Sequence, residues 1–136
     1  MKTTRIGIFE TNSSSTHSIS LSEFNIIDAS FPLEDDKIIL RGGEFGWGYE
    51  KITNALTKAN YCAVAYQYDE SRLEMLKEAF HRVLGEDIEV EINIDDYSYI
   101  DHQSFEVASD ELCTQDDIIN FIFNPDSVLI IDNDNH

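Results

Sequence analysis

The sequence predicts a small α+β protein, a single-domain sandwich in which a mixed or antiparallel sheet with an N-terminal hairpin packs against two or three helices. Its 136 residues have the size of one domain, and no linker rich in Pro or Ser divides them. Hydrophobic residues make up 42% of the chain, which suffices for a core. Strand and helix patterns interleave, but the first two strands follow each other directly, which favours a hairpin over a doubly wound parallel fold.

The first two strands are predicted from alternating apolar residues. Residues 5–9 and 17–21 have this pattern, and a polar loop joins them. In the second of these strands, His17, Ile19 and Leu21 share the inward face. Residues 37–41 predict a third strand. Four of the six glycines follow it closely, between residues 42 and 48.

Helical spacing of apolar residues predicts a helix over about 49–66 and a second one that ends at Gly85. Ser71 and Glu74 have the spacing of a capping box at the start of the second helix. Three later segments have patterns typical of an amphipathic strand, of a short helix that begins after Thr114, and of a buried strand: 87–95, 115–123 and 127–132.

The charge is uneven along the chain. Its net value is −18, and residues 1–60 contribute only −2 with 6 basic and 8 acidic residues. Residues 61–136 carry 3 basic and 19 acidic residues, a net charge of −16. This argues against binding nucleic acid or a membrane surface through basic patches. Ordinary solubility needs a net charge of only about 2–8 in a small domain. Two explanations of the excess therefore stay open: the acidic half binds a basic surface, or the protein is merely acidic and soluble.

The compartment is predicted from what the sequence lacks. No apolar run approaches the roughly 20 residues of a membrane span, and the first residues have no signal-peptide pattern. The two cysteines, Cys62 and Cys113, are too few for a disulfide framework and are expected to be reduced. We therefore expect a cytoplasmic protein.

Four polar segments are candidates for chemistry. Residues 10–17, ETNSSSTH, could present several donors to an anion, or could form a loop bonded to its own backbone. Residues 41–51 combine glycines with Trp47, a candidate aromatic anchor, or form an irregular connection. Residues 101–104, DHQS, offer a base and a hydroxyl. Residues 132–136, DNDNH, offer oxygen ligands for a divalent ion without the spacing of an EF-hand, or form a solvated tail.

The segments RIGIFETNSSSTHSI, GGEFGW, IDHQS and FIFNPDSVLIIDNDNH resemble a family of small proteins from phages and prophages of Gram-positive bacteria. The resemblance runs over most of the chain. It implies a phage-related cytosolic protein and assigns no catalytic residue.

The leading hypothesis is a non-catalytic phage accessory protein that binds, and inhibits, a basic host macromolecule such as a nucleic-acid enzyme or a defence effector. It needs no cofactor, and its test is capture of a basic partner at low salt. The acidic residues expected at its interface, beside Trp47, are Glu89, Glu91, Asp95, Asp96, Asp110, Glu111, Asp116 and Asp117.

The alternative is a ligand-binding or metal-assisted hydrolytic site where the polar segments meet. His17 or His102 would be the base, and carboxylates could hold a divalent metal ion. Its candidate residues are Glu10, Asn12, Ser13, Asp101, Ser104 and Asp132 beside the two histidines, with Asp134 and His136 as further metal ligands. Convergence of these residues around one pocket would favour it.

Overall fold

The computed structural model describes residues 16–23, 26–43, 45, 50–94, 108 and 110–132. In that part of the chain, three helices and five strands in two small sheets confirm the α+β class. The predicted strand over 5–9 lies outside the described residues. The elements in chain order are β1 (Thr16–Ser20), β2 (Lys37–Leu40), β3 (Glu50–Ile52), α1 (Ala55–Ala65), α2 (Glu70–Leu84), β4 (Glu89–Ile92), α3 (Gln115–Phe123) and β5 (Val128–Asp132).

The three-stranded sheet has the order β1-β5-β3, with β5 antiparallel to both neighbours. Ile131 of β5 lies opposite His17 on one side and opposite Glu50 on the other. The predicted alternation in β1 is confirmed, because His17 and Ile19 are buried while Ser18 and Ser20 are exposed. The sheet therefore turns its apolar face towards the helices.

The second sheet pairs β2 with β4 in parallel, so that Ile38 lies opposite Val90 and Leu40 opposite Ile92. Parallel neighbours need a long crossover connection, and here β3, α1 and α2 lie between the two strands in the chain. Helix α1 packs against β2 and against both other helices. The helical layer thus joins the two sheets through a common core.

The predicted helix over 49–66 is wrong at its beginning. Residues 50–52 form β3, which pairs with β5, and α1 begins only at Ala55. The side chain of Asn54 caps α1 by accepting a hydrogen bond from the backbone N–H of Thr57 at 3.0 Å. Ile52 is buried as expected, but it lies on a strand.

The boundaries of α2 and α3 show which capping signals are used. The predicted box of Ser71 and Glu74 is wrong, because Asp69 is the N-cap of α2 and accepts from the Arg72 N–H. The predicted stop at Gly85 is confirmed, with a φ of +113° that favours glycine. Thr114 caps α3 as predicted, and α3 spans Gln115–Phe123.

The core contains a cluster of three phenylalanine rings. The Phe80 and Phe123 rings, from α2 and α3, meet edge to face at 5.4 Å between centroids. Phe31, from a segment without helix or strand, packs edge to face on Phe80 at 5.0 Å. The N–H of Asp28 in the same segment donates to the Phe123 carbonyl at 2.8 Å. Aromatic pairs of this geometry contribute about 0.5–1.5 kcal/mol beyond their burial, so this segment is fixed to both helices.

Candidate functional site

The acidic residues predicted at the interface do not have equivalent surroundings. Glu89, Asp110, Glu111 and Asp116 are exposed, whereas Glu91 and Asp117 are half-buried. Trp47, Asp95 and Asp96 lie outside the described residues. The described acids divide into a strand group on β4 and a helical group around the beginning of α3.

The strand group is partly neutralised. Lys37 on β2 lies opposite Glu89 in the parallel pair, and its Nζ donates to the Glu91 carboxylate at 2.9 Å. This hydrogen bond, followed by the charges of Glu91, Glu89 and Asp35, raises the pKa of Lys37 above its ordinary value. One cation of the first half of the chain therefore offsets part of the charge of the two carboxylates of β4.

In the helical group, Asp117 has a local structural role. Its carboxylate accepts from the N–H groups of Cys113 and Thr114 at 3.0 and 3.2 Å, while the Thr114 hydroxyl accepts from the Asp117 N–H. This is a complete capping box at the beginning of α3. Asp116, with a side chain 79% exposed, pairs with Arg82 of α2 at 2.8 Å.

The structure adds three exposed acids that were not predicted at the interface. Glu70, Glu74 and Glu78 are exposed and follow one another at intervals of four residues, so they share the outer face of α2. The spacing itself was the available signal. Glu78 accepts a hydrogen bond from Gln115 of α3 at 2.8 Å, which brings this face next to Asp116. We call Glu70, Glu74, Glu78 and Asp116 the acidic helix face.

The basic residues of the second half include two that bind within the fold. Arg72 donates to the Leu112 carbonyl at 2.7 Å and lies over the Tyr66 ring, 5.6 Å from its centroid. Arg82 bridges α2 and α3 through Asp116 and Gln115. Arg72 is therefore held within the fold, whereas Arg82, with a side chain 52% exposed, offsets the charge of Asp116 at the surface. Glu70 and Glu74 are exposed.

The polar segments of the alternative hypothesis lie mostly outside the described residues. This applies to Glu10, Asn12, Ser13, Asp101, His102, Ser104, Asp134 and His136. The backbone of Asp132 is described as the last residue of β5, and it lies opposite Thr16 at the beginning of β1. The ends of ETNSSSTH and DNDNH therefore meet at one end of the three-stranded sheet.

His17 is the one residue of that hypothesis whose side chain is described. It is 5% exposed, and its Nδ1 lies 2.8 Å from the hydroxyl of Tyr61 on α1. The Tyr61 ring also meets Phe45 edge to face at 5.2 Å between centroids. Gly42, which begins the glycine-rich segment, donates its N–H to Asn60 at 3.1 Å. His17, at the end of ETNSSSTH, thus contacts Tyr61 of α1, and the glycine-rich segment contacts Asn60 and Tyr61 of the same helix.

Among the described side chains, no group of three or more His, Cys, Asp or Glu residues could hold a metal ion together. No helix in the described ranges is both long and apolar enough to cross a membrane.

Comparison with known proteins gives no relative: no protein family, curated protein or solved structure matches the chain.

Proposed function

We propose that this chain is a small, non-catalytic protein of phage origin that acts in the bacterial cytoplasm. It binds a basic surface of a host macromolecule, such as a nucleic-acid enzyme or a defence effector, and inhibits it. The observation that carries the proposal is the net charge of −16 on residues 61–136. The exposed carboxylates of α2 and of the beginning of α3 give part of that charge a defined surface.

Charge far from zero destabilises a compact state through self-repulsion, and the acidic half carries more charge than solubility requires. A basic partner relieves this repulsion when it binds, and the long-range field raises the rate of association. A partner that normally binds a polyanion would present a suitable positive surface.

The experiment is capture of partners from a host lysate on the immobilised full chain, followed by binding measurements with the purified partner. We expect a basic protein to be retained at low salt and released towards 1 M salt, where the Debye length falls to about 3 Å. An inhibition assay of the purified partner then tests the second half of the proposal. Failure to retain any basic protein at low salt would overturn it.

Matched amide variants distinguish binding at a specific acidic surface from attraction by the total negative charge of the chain. Asp110→Asn with Glu111→Gln removes two exposed charges from the acidic half, and Asp35→Asn with Asp36→Asn removes two exposed charges from the other half. Asp35 and Asp36 have positive φ values, which asparagine tolerates. We expect only the first pair to weaken binding, roughly 2- to 30-fold if each exposed ion pair contributes about 0.2–1 kcal/mol. Equal weakening by both pairs would indicate non-specific attraction.

A second candidate function is a ligand-binding or metal-assisted hydrolytic site at the end of the three-stranded sheet. The adjacency of Thr16 and Asp132 supports it, because it brings two polar segments together beside the buried His17. Thermal unfolding with added Zn²⁺ or Mn²⁺ tests it. We expect a metal-dependent rise in Tm that His17→Gln removes and Ser18→Ala, on the exposed face of β1, retains. An identical shift in all three proteins would contradict the site.

A further inference from the structure

The outer face of α2 has a regular charge pattern. Its carboxylates Glu70, Glu74 and Glu78 are exposed, whereas Leu76, Ala79 and Phe80 on the other side are buried in the core. Four residues of α-helix rise about 6 Å, so the carboxylates form an ascending row with that interval. At the end of this row, Glu78 accepts a hydrogen bond from Gln115 of α3, and Arg82, four residues further on, pairs with Asp116. Glu70 and Glu74 are exposed.

Tyr68 is an independent feature two residues before Glu70 in the chain. It lies in the turn between α1 and α2, one residue before the N-cap Asp69, and is 94% exposed. The nearby Tyr61 and Tyr66 are buried, and their hydroxyls hydrogen-bond to His17 and to the Ala108 carbonyl. Within the described part of the chain, the Tyr68 ring stacks on no other ring and its hydroxyl has no hydrogen-bond partner.

We propose that Tyr68 and the carboxylate row of α2 form a docking surface for a protein segment that carries arginine rather than lysine. This inference rests on the proposed function and names the chemistry of its partner. The row requires a positive partner by charge complementarity, and the exposed aromatic ring selects among cations. A guanidinium group is planar and weakly hydrated, so it stacks on a tyrosine ring and also bonds a carboxylate in a bidentate manner. A lysine ammonium is compact and strongly hydrated, and it gains less from the ring.

The spacing also limits the partner. Arginines four residues apart on a helix recur about every 6 Å, and arginines at alternate positions of an extended strand recur about every 6.6–6.8 Å. Either repeat matches the row of carboxylates. One arginine stacks on Tyr68 beside the first turn of α2, and the next ones pair with Glu74 and Glu78.

The experiment compares two synthetic peptides of equal length and charge, one with arginine at every fourth position and one with lysine. Binding to the full chain is measured by calorimetry at low salt. We expect the arginine peptide to bind about two- to fivefold more tightly, the range that an exposed cation–π contact supplies. Tyr68→Ala should remove this preference, and Tyr68→Phe should keep it. Because Tyr68 is exposed, circular dichroism is expected to show an unchanged fold in both variants.

The position of the surface is tested with charge variants. Glu74→Gln should weaken binding of both peptides, while Asp35→Asn, which removes one exposed charge elsewhere, should not. If arginine and lysine peptides bind equally, or if the preference survives in Tyr68→Ala, the arginine inference is overturned and the proposed function still stands. If Glu74→Gln and Asp35→Asn have equal effects, the docking surface is wrong. If neither peptide binds at low salt, both the docking surface and the proposed acidic-surface function fail.

Discussion

The ammonium nitrogen of Lys58 donates a hydrogen bond of 3.0 Å to the carbonyl oxygen of Asn124, the C-cap residue of α3. It donates a second one, at 2.9 Å, to the carbonyl of Ser127. The lysine side chain is fully buried, with the ammonium 5.6 Å from the centroid of the Phe121 ring. A cation on α1 therefore fixes the turn from which the central strand β5 begins.

Replacement of this lysine is expected to destabilise the fold. Lys58→Met retains much of the apolar stem and removes the ammonium donor from the Ser127 carbonyl, whereas the Asn124 carbonyl still accepts the Ser127 N–H at 3.0 Å. Loss of such a buried donor costs about 1–3 kcal/mol. Urea unfolding at pH 7 measures the loss. The control is Lys51→Met, an exposed lysine on β3, for which a change below about 0.5 kcal/mol is expected. Equal stability of the two variants would contradict the role of Lys58.

The same lysine predicts a dependence of stability on pH. Burial lowers the pKa of Lys58 to about 8 from an ordinary value of 10.5, although an electrostatic interaction with Cys62 opposes this shift. Between pH 8 and pH 10.5 the unfolded chain binds the proton more tightly than the folded chain. The contribution of Lys58 to the free energy of unfolding therefore rises with pH, by at most about 3 kcal/mol over this window.

Other groups titrate in the opposite sense. Burial raises the pKa values of the Cys62 thiol and the Tyr66 hydroxyl, so both groups reduce stability as pH rises above their ordinary values. The measurement is therefore the difference in unfolding free energy between the unmodified chain and Lys58→Met. We expect this difference to increase between pH 8 and pH 10.5. A constant difference would show that the folded and unfolded states bind the Lys58 proton equally.

The hydrogen bond between His17 and Tyr61 predicts a second stability effect. Tyr61→Phe removes the hydroxyl 2.8 Å from His17 Nδ1 and leaves the ring against Phe45. Removal of one group of a buried hydrogen bond costs about 1–3 kcal/mol. Urea unfolding should show this loss, whereas Tyr68→Phe, at an exposed position, should leave the midpoint unchanged. If the two variants have the same midpoint of urea unfolding, the hydrogen bond does not stabilise the fold.

Two neighbouring acids at the beginning of α3 have different roles: Asp117 caps the helix, and Asp116 forms an ion pair at the surface. Asp117→Ala removes the carboxylate that accepts from the Cys113 and Thr114 N–H groups, and a lost cap costs about 0.5–2 kcal/mol. Asp116→Ala removes only the exposed pair with Arg82, which contributes about 0–1 kcal/mol. Thermal unfolding should rank Asp117→Ala as the less stable variant. The reverse order would show that the ion pair matters more than the cap.

Local signals predicted α3 well. Thr114 supplies the cap, apolar residues recur at helical spacing, and Asn124 with Pro125 ends the segment. All of these signals lie within a few residues of the boundary that they determine. The same holds for β5, whose continuous apolar run is typical of a buried central strand.

Elements that depend on distant partners could not be predicted in this way. The three residues of β3 carry too short a pattern to indicate a strand, and they become one because β5 offers Leu129, Ile130 and Ile131 as partners. At α2, both Asp69 and Ser71 are good capping residues, and the local pattern did not distinguish between them. The parallel pairing of β2 with β4 is likewise set by the core.

The negative charge of the candidate site was predictable from the sequence, but its position was not. The excess of acidic residues in the second half was evident, whereas the roles of Asp117 as a cap and of Glu91 as the partner of Lys37 are visible only in the structure. The acids of α2 could have been found from their four-residue spacing. Lys58 had no such signal, because a lysine on a helix is usually exposed.

The position of β5 in the three-stranded sheet has a consequence for biosynthesis. The strand follows every other described element in the chain, yet it lies between β1 and β3. Because translation adds about 5–20 residues per second, the two outer strands wait several seconds on the ribosome for the strand that joins them. During that interval their hydrogen-bonding edges are open to other chains. Completion of this sheet is therefore a late event, and chains that stall before β5 is made are candidates for chaperone binding or proteolysis.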